Sequence, residues 1–323
     1  MLPVLISIRQ EVRKVKTITT ADIHQVLQAL CPSTEVLAIH PGPRSYSNQL
    51  WRAETDEGEL LVRVPGRTSD PEVLRATLVA SRLANEAGVP APRFRAFAPT
   101  TSLGRPVVVQ EYAPGTRLAD GPLDPTKQET LGRTLGEWVG RLHTIRRAKF
   151  GSVLNPSDDR PWGDVVLSRV DAMLSTLPRE SLPSDSDQIR SAFARLAELA
   201  PGDGAALTHG DLYLDNILLR DGRPSCLLDF EHASFTDRFA DFGKLRELVF
   251  ERHPEIERPF FDAYSAIHPK HESDEVRMRL GLGLYALSQL HYFHTWQPDL
   301  VGFYNNRLGE WLRLSSNVRN SPA

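Results

Sequence analysis

Between residues 36 and 64 the apolar positions fall in three short runs, VLAIH (36–40), QLWRAE (49–54) and ELLVRV (59–64). The polar stretch PGPRSYSN (41–48) parts the first two and the turn DEG the last two, which predicts strand, loop, strand, turn, strand. Before them a helix is expected from Thr20, with Thr19 or Thr20 as N-cap and Ile23, Val26, Leu27 and Leu30 on its apolar face. Cys31-Pro32 ends it, and residues 1–16 read as a variable lead-in. A second helix is predicted to start at Ser69, Asp70 or Pro71 and to stop at Gly88. The Pro-punctuated VPAPRFRAFAPT then leads into RPVVVQEYAPG, a buried strand running into a turn.

From Asp124 the period becomes helical: ETLGRTLGEWVGRLHTI places Leu131, Leu135, Trp138, Val139 and Leu142 on one face, with His143 near its end. Residues 150–187, rich in Pro, Ser and Asp, are expected to hold a loop and a short helix, followed by the helix DQIRSAFARLAELA. Helices are also expected over 251–269 and over RMRLGLGLYALSQLHYFHTW.

The pattern with chemical content is LTHGDLYLDNILLRDGRPSCLLDF (207–230): a strand end, a tight polar loop, and two apolar runs hinged at Asp221-Gly222, a dipeptide that favours a hairpin turn. One hairpin thereby gathers Asp211, Asn216 and Asp229, hard oxygen ligands of the kind Mg²⁺ takes. The spacing His-x-Asp-x-x-x-x-Asn with a downstream Asp-Phe is that of a kinase catalytic loop and its metal-binding Asp.

HGDLYLDN followed by LLDFE resembles the aminoglycoside phosphotransferase and choline kinase-like family, small-molecule kinases on the protein-kinase fold. Gly210 stands where protein kinases carry Arg, as in that family. The resemblance implies an α+β, two-lobed protein-kinase-like fold. Its small lobe, with an antiparallel sheet and one main helix, would span 1–113 with the hinge at its end, and its larger, mostly helical lobe 114–323. It implies ATP or another nucleoside triphosphate and Mg²⁺ as cofactors, and a hydroxyl of a small molecule as acceptor. Asp211 takes the role of catalytic Asp, and Asn216 and Asp229 those of metal ligands. Arg63 would grip the α- and β-phosphates in place of the usual Lys, offering a bidentate fork. Ser45, Ser47 and Asn48 would meet phosphate oxygens, and the backbone of Glu111 and Ala113 would meet the adenine edge.

The chain departs from the pattern in two places. The 42–48 loop holds one glycine, Gly42, between two prolines, and the helix after the third strand has Thr77 where the family usually has the Glu that holds the cation. Glu72 is the candidate substitute. Asp237 and Asp241 resemble the family's structural acids, with surface caps as the plainer reading. His143 reads as a packed or capping residue, His209 as a loop-orienting one, and His291 and His294 as packing residues.

Composition changes this picture little: 41% apolar and 24% charged residues describe an ordinary globular chain. From residue 151 there are 26 acidic against 18 basic side chains, net −8, which leaves about +5 for the first 150. Neither half suits nucleic acid as main partner, while an acidic second half suits a cationic acceptor. Two cysteines make no disulfide framework, and no apolar run nears the ~20 residues of a membrane helix, so a cytoplasmic enzyme, monomer or homodimer, is expected. Acceptors left open are antibiotics, such as an aminoglycoside or macrolide, and metabolites, such as choline, homoserine or a sugar amine. A pseudokinase is the alternative of another class. A loop-regulated protein kinase is disfavoured by Gly210 and the missing Ala-Pro-Glu signal, and a P-loop NTPase by the lack of G-x-x-x-x-G-K-[ST].

Overall fold

The computed structural model describes residues 18–43, 45, 48–65, 70–118, 125–199 and 202–316. The chain divides into two units, one taking residues up to Ser69 together with Phe94–Tyr112, the other taking Asp70–Arg93 and everything from Ala113 onward.

The first unit begins with α1 (Thr20–Leu30), whose N-terminus is closed by a capping box. Thr19 Oγ1 accepts from Asp22 N–H at 3.2 Å, and the Asp22 carboxylate accepts from Thr19 N–H at 2.9 Å. Strands β1 (Val36–Pro41), β2 (Asn48–Thr55), β3 (Gly58–Pro65), β4 (Phe94–Ala98) and β5 (Val107–Glu111) form one antiparallel sheet, in the order β1-β2-β3-β5-β4. Ile23, Val26 and Leu27 of α1 cluster with Ala53, Leu60, Val62, Val64, Val107 and Val109 of the strands. The alternation along β3 thus sends Leu60, Val62 and Val64 to the core, while Arg63 lies between Leu50 and Val108 of the flanking strands.

The second unit opens with α2 (Pro71–Glu86), capped by Asp70, whose side chain accepts from Glu72 N–H, with Pro71 at its first position. Its exit is tied within this unit, since Arg141 donates to Gly88 O at 3.2 Å and Leu227 N–H to Pro90 O at 2.8 Å. A short strand β6 (Thr116–Arg117) precedes the long helix α3 (Pro125–His143), on which all five predicted apolar positions are buried.

Residues 150–187 depart from the expected loop and short helix. They form β8 (Phe150–Ser152) and β9 (Pro156–Asp158), after β7 (Arg146–Arg147), and then a thirteen-residue helix α4 (Trp162–Leu174). Trp162, Val165, Val166, Val170 and Leu174 bury one face of α4, a helical period that the surrounding Pro, Ser and Asp residues hide. After α5 (Ser186–Leu199), β10 (Ala205–Thr208) leads into the polar loop. The hairpin β11 (Ile217–Arg220) and β12 (Arg223–Leu227) follows, then β13 (Ser234–Thr236) and α6 (Phe242–Leu245). Helices α7 (Pro254–Ile267), α8 (Asp274–Trp296) and α9 (Val301–Ser316) complete the unit.

An ion cluster, buried except at Asp203, fixes the segment that enters α6. Arg277 of α8 donates to Asp237 at 2.7 Å and to Asp203 at 2.6 Å, and Arg238 donates to Asp274 at 2.6 Å. Burial alone would raise the Asp203 carboxyl, but Arg146 and Arg277 hold its pKa at about 2. Asp237 also caps the turn Arg238–Asp241 by accepting from Phe239 N–H at 2.9 Å. Both Asp237 and Asp241 are buried, so they are internal structural acids and not surface caps.

Candidate active site

The site is built on the loop between β10 and β11 and on the far end of the hairpin. Asp221 and Gly222 both adopt positive φ, 52° and 75°, the left-handed pair that a tight two-residue hairpin requires. Arg220 and Arg223 face each other across it. The loop itself turns at Gly210, with φ of 77°, where an added Cβ would lie 2.4 Å from His232 O. No side chain fits there, a local reason for glycine between His209 and Asp211.

His209 is fully buried and joins the two arms of the site. Its Nδ1 accepts from Asp211 N–H at 3.2 Å, while Nε2–H donates to Leu228 O at 2.8 Å. Burial pushes its pKa down, so the ring is a neutral imidazole with its tautomer set by these two bonds. Both nitrogens are committed to backbone, which leaves His209 an orienting residue. Leu228 N–H donates in turn to Asn216 O at 2.8 Å, so the residue before Asp229 is fastened to both His209 and Asn216. Asp229 itself sits in the left-handed region at φ 64°, a sharp exit from β12.

Asn216 Nδ2 donates to both Asp211 O (2.8 Å) and Asp211 Oδ2 (2.9 Å). That fixes the carboxylate and leaves the amide oxygen as the acceptor end of Asn216. Behind the loop lies a buried relay that the spacing of the motif does not reveal. Asp241 accepts from His209 N–H at 2.9 Å and from Gly210 N–H at 2.7 Å. His143 Nε2 contacts Asp241 at 3.1 Å, and its Nδ1 contacts the Tyr264 hydroxyl at 2.9 Å. His143 is therefore a packed residue that braces the 209–216 loop through Asp241.

Burial would raise the Asp241 carboxyl, but the His143 contact, the nearby imidazoles and the Gly210 N–H outweigh it and hold the pKa below the usual range. Its contribution to stability is complete above the unfolded value of about 3.9 and is lost as pH falls through the lower folded value. Asp241→Asn is expected to cost about 1–3 kcal/mol in urea unfolding at pH 7. It is also expected to flatten the acid limb of stability below pH ~4. An unchanged acid limb would show that the carboxylate charge does not brace the loop.

Sequence reasoning missed Lys244. It reaches from α6 to pair with Asp211 Oδ1, and its ammonium lies 4.5 Å from the centre of the Tyr213 ring. Asp237 and Asp241 of that segment match structural acids by resemblance, but a lysine in FADFGKLRELV carries no local signal of its own.

The remaining predicted residues are placed as follows. Arg63 is half-buried in the middle of β3. Asn48 opens β2 opposite Pro65, Ser45 lies in the preceding loop, and Ser47 lies outside the described residues. Glu111 pairs with Leu60 in the sheet while its carboxylate meets Arg95 at 3.1 Å, and Ala113 is the first residue of the second unit after the crossing. Glu72 is exposed, and its carboxylate takes Arg75 at 3.0 Å within the first turn of α2. Thr77 is buried and donates its hydroxyl to Val73 O at 2.9 Å. His291 contacts the Thr176 hydroxyl at 3.0 Å.

The loop and hairpin carry a kinase-type sequence motif, and the fold has solved counterparts among phosphotransferases. The model of the phosphotransferase enzyme family matches residues 38–279, and the chain belongs to that family. Among characterised relatives it is similar to an aminoglycoside 3'-phosphotransferase of Escherichia coli, 31% identical over 84 residues; the match covers 26% of this chain and 30% of that enzyme. In fold it is similar to the aminoglycoside phosphotransferase APH(4)-Ia, with a TM-score of 0.71 at 16% identity, over 93% of this chain and 100% of that one. APH(4)-Ia has also been solved as a ternary complex with ADP and hygromycin B, which matches 88% of this chain and 96% of that one at 15% identity, TM-score 0.68. A protein of Thermobifida fusca assigned as a fructosamine-3-kinase matches over 91% of this chain and 98% of its own, TM-score 0.61 at 19% identity. The two-lobed, kinase-like α+β fold expected from the motif is therefore the fold of this chain. No helix among the described residues is long and apolar enough to cross a membrane.

Proposed function

We propose that this protein transfers the γ-phosphoryl group of ATP, with Mg²⁺, to a hydroxyl of a small molecule. The observation that carries the proposal is the triple arrangement of Asp211, Asn216 and Asp229, held in one piece by His209 and by the Leu228–Asn216 backbone bond. Asp211 orients the acceptor hydroxyl and takes its proton. The donors fit a hard divalent cation. Asn216 has its amide N–H₂ engaged by Asp211 and its oxygen left to coordinate, and Asp229 adds a carboxylate from the end of the hairpin. When bound, the cation neutralises charge on the nucleotide phosphates. Arg63 of the first unit is assigned to the α/β-phosphates, with Ser45, Ser47 and Asn48 as further donors. The backbone of Glu111 and Ala113 is assigned to the adenine edge.

The acceptor is proposed to be a hydroxylated compound bearing an amine, in line with the net −8 of residues 151–323. The test is ATP consumption by the purified protein with Mg²⁺ across aminoglycosides, macrolides, choline, homoserine and fructosamine-type sugar amines. Turnover with an amino-bearing compound is expected. Turnover confined to neutral acceptors would refute the acceptor class. Binding of Mg²⁺-ATP without consumption in the presence of any compound would favour a silent nucleotide-binding protein.

A further inference from the structure

We propose that Lys244 is a catalytic residue of this enzyme. Its ammonium holds Asp211 and presents its remaining N–H groups to the phosphoryl group as it passes to the acceptor. This rests on the phosphotransferase reading above and adds to it a cation on the acceptor side.

The placement of Lys244 is built. Gly243 lets α6 approach α8 so closely that a Cβ there would lie 2.4 Å from Tyr285 Cβ. The helix is thereby pressed against its neighbour, and the next residue is directed at the catalytic loop. The ammonium then has Asp211 Oδ1 on one side and the face of Tyr213 on another. The lysine side chain keeps 25% of its surface exposed and Asp211 keeps 16%, so the pair is sheltered yet open to a ligand.

A purely structural role does not account for this contact. The loop is already tied down by Asp241 on two backbone N–H groups and by His209 across to Leu228. A partly exposed ion pair adds little to stability beyond that. What the chemistry calls for on this side is positive charge. In a loose transition state, charge gathers on the oxygens of the phosphoryl group, and catalysis is mostly positioning and electrostatics. Asp211 Oδ2 is shared with Asn216 and has a second lone pair for the acceptor hydroxyl, while Oδ1 belongs to Lys244. Two hydrogen bonds meeting on one carboxylate leave their outer atoms about 4–5 Å apart, so the ammonium lies beside the acceptor oxygen. An ammonium has three donors, and only one is spent on Asp211.

The experiment compares wild type with Lys244→Met, Lys244→Gln and Lys244→Arg. It follows turnover with the acceptor that the panel identifies, Mg²⁺-ATP hydrolysis without acceptor, ATP affinity by calorimetry, and Tm. Both neutral variants are expected to lose on the order of 100-fold in kcat, with the KM for ATP within about threefold of wild type. Lys244→Arg is expected to regain at least about tenfold of that loss, because it restores the charge. Neutral variants with kcat within about threefold of an active wild type would overturn the proposal while leaving the phosphotransferase reading intact. So would a loss of activity that tracks a loss of ATP affinity or of Tm and is not rescued by arginine. A wild type that neither turns over nor hydrolyses Mg²⁺-ATP would bring down that reading and this proposal with it.

Discussion

Asp211→Ala is expected to lower turnover by about 10²–10⁴-fold while ATP affinity stays near that of wild type. The carboxylate is held at both oxygens, by Asn216 at 2.9 Å and by Lys244, and a group positioned this firmly is suited to fixing the direction of an attacking hydroxyl. Alanine removes that direction and the proton acceptor together, while Asn216 keeps its bond to the Asp211 carbonyl and the groups assigned to the adenine and the α/β-phosphates are untouched. The effect should therefore fall on kcat, with calorimetric ATP binding as the control. Asp211→Asn keeps the shape and the hydrogen bond from Asn216, and is expected to be nearly as inactive, since the amide takes no proton. Turnover like that of wild type in either variant would remove Asp211 from the chemistry.

Asp229→Ala is expected to abolish the Mg²⁺ dependence of ATP binding. Asp229 is the one carboxylate assigned to the metal, and Mg²⁺ bound through one or two carboxylates and substrate phosphates has little else from the protein to replace it. Alanine at φ 64° adds backbone strain of about 1–2 kcal/mol, so the cleaner variant is Asp229→Asn, which tolerates the left-handed conformation and lacks only the charge. ATP titrations with Mg²⁺ and with EDTA should converge in this variant and differ by at least about tenfold in wild type. A preserved difference would mean that the cation is held elsewhere.

Much of the site is legible in the sequence, because its parts are local. Asp211 and Asn216 are five residues apart on one loop, and Asp221-Gly222 turns the chain so that Asp229 returns beside them. Gly210 is legible only through the resemblance; the carbonyl that leaves no room for a side chain there belongs to His232, 22 residues further on. Glu72 shows the limit of such reasoning. It is the acid of that helix nearest to Thr77, but a partnership with a strand residue is not a local feature that a pattern can assign; in the structure its exposed carboxylate takes Arg75, three residues on. The true length of α4 was hidden differently, by a composition rich in breakers around a periodic apolar face.

The amino-acid sequence by itself determined the first three strands, most of the long helices, the hairpin and the identity of the three residues at its ends, because caps, turn dipeptides and apolar periods act over a few residues. Only the tertiary structure decided what braces them. His143 reaches Asp241 across 98 residues and Tyr264 across 121, and Lys244 reaches Asp211 across 33. Such contacts depend on how α3, α7 and α6 pack around the loop, and a side chain records nothing of a distant partner until packing excludes water and leaves it one place to bond.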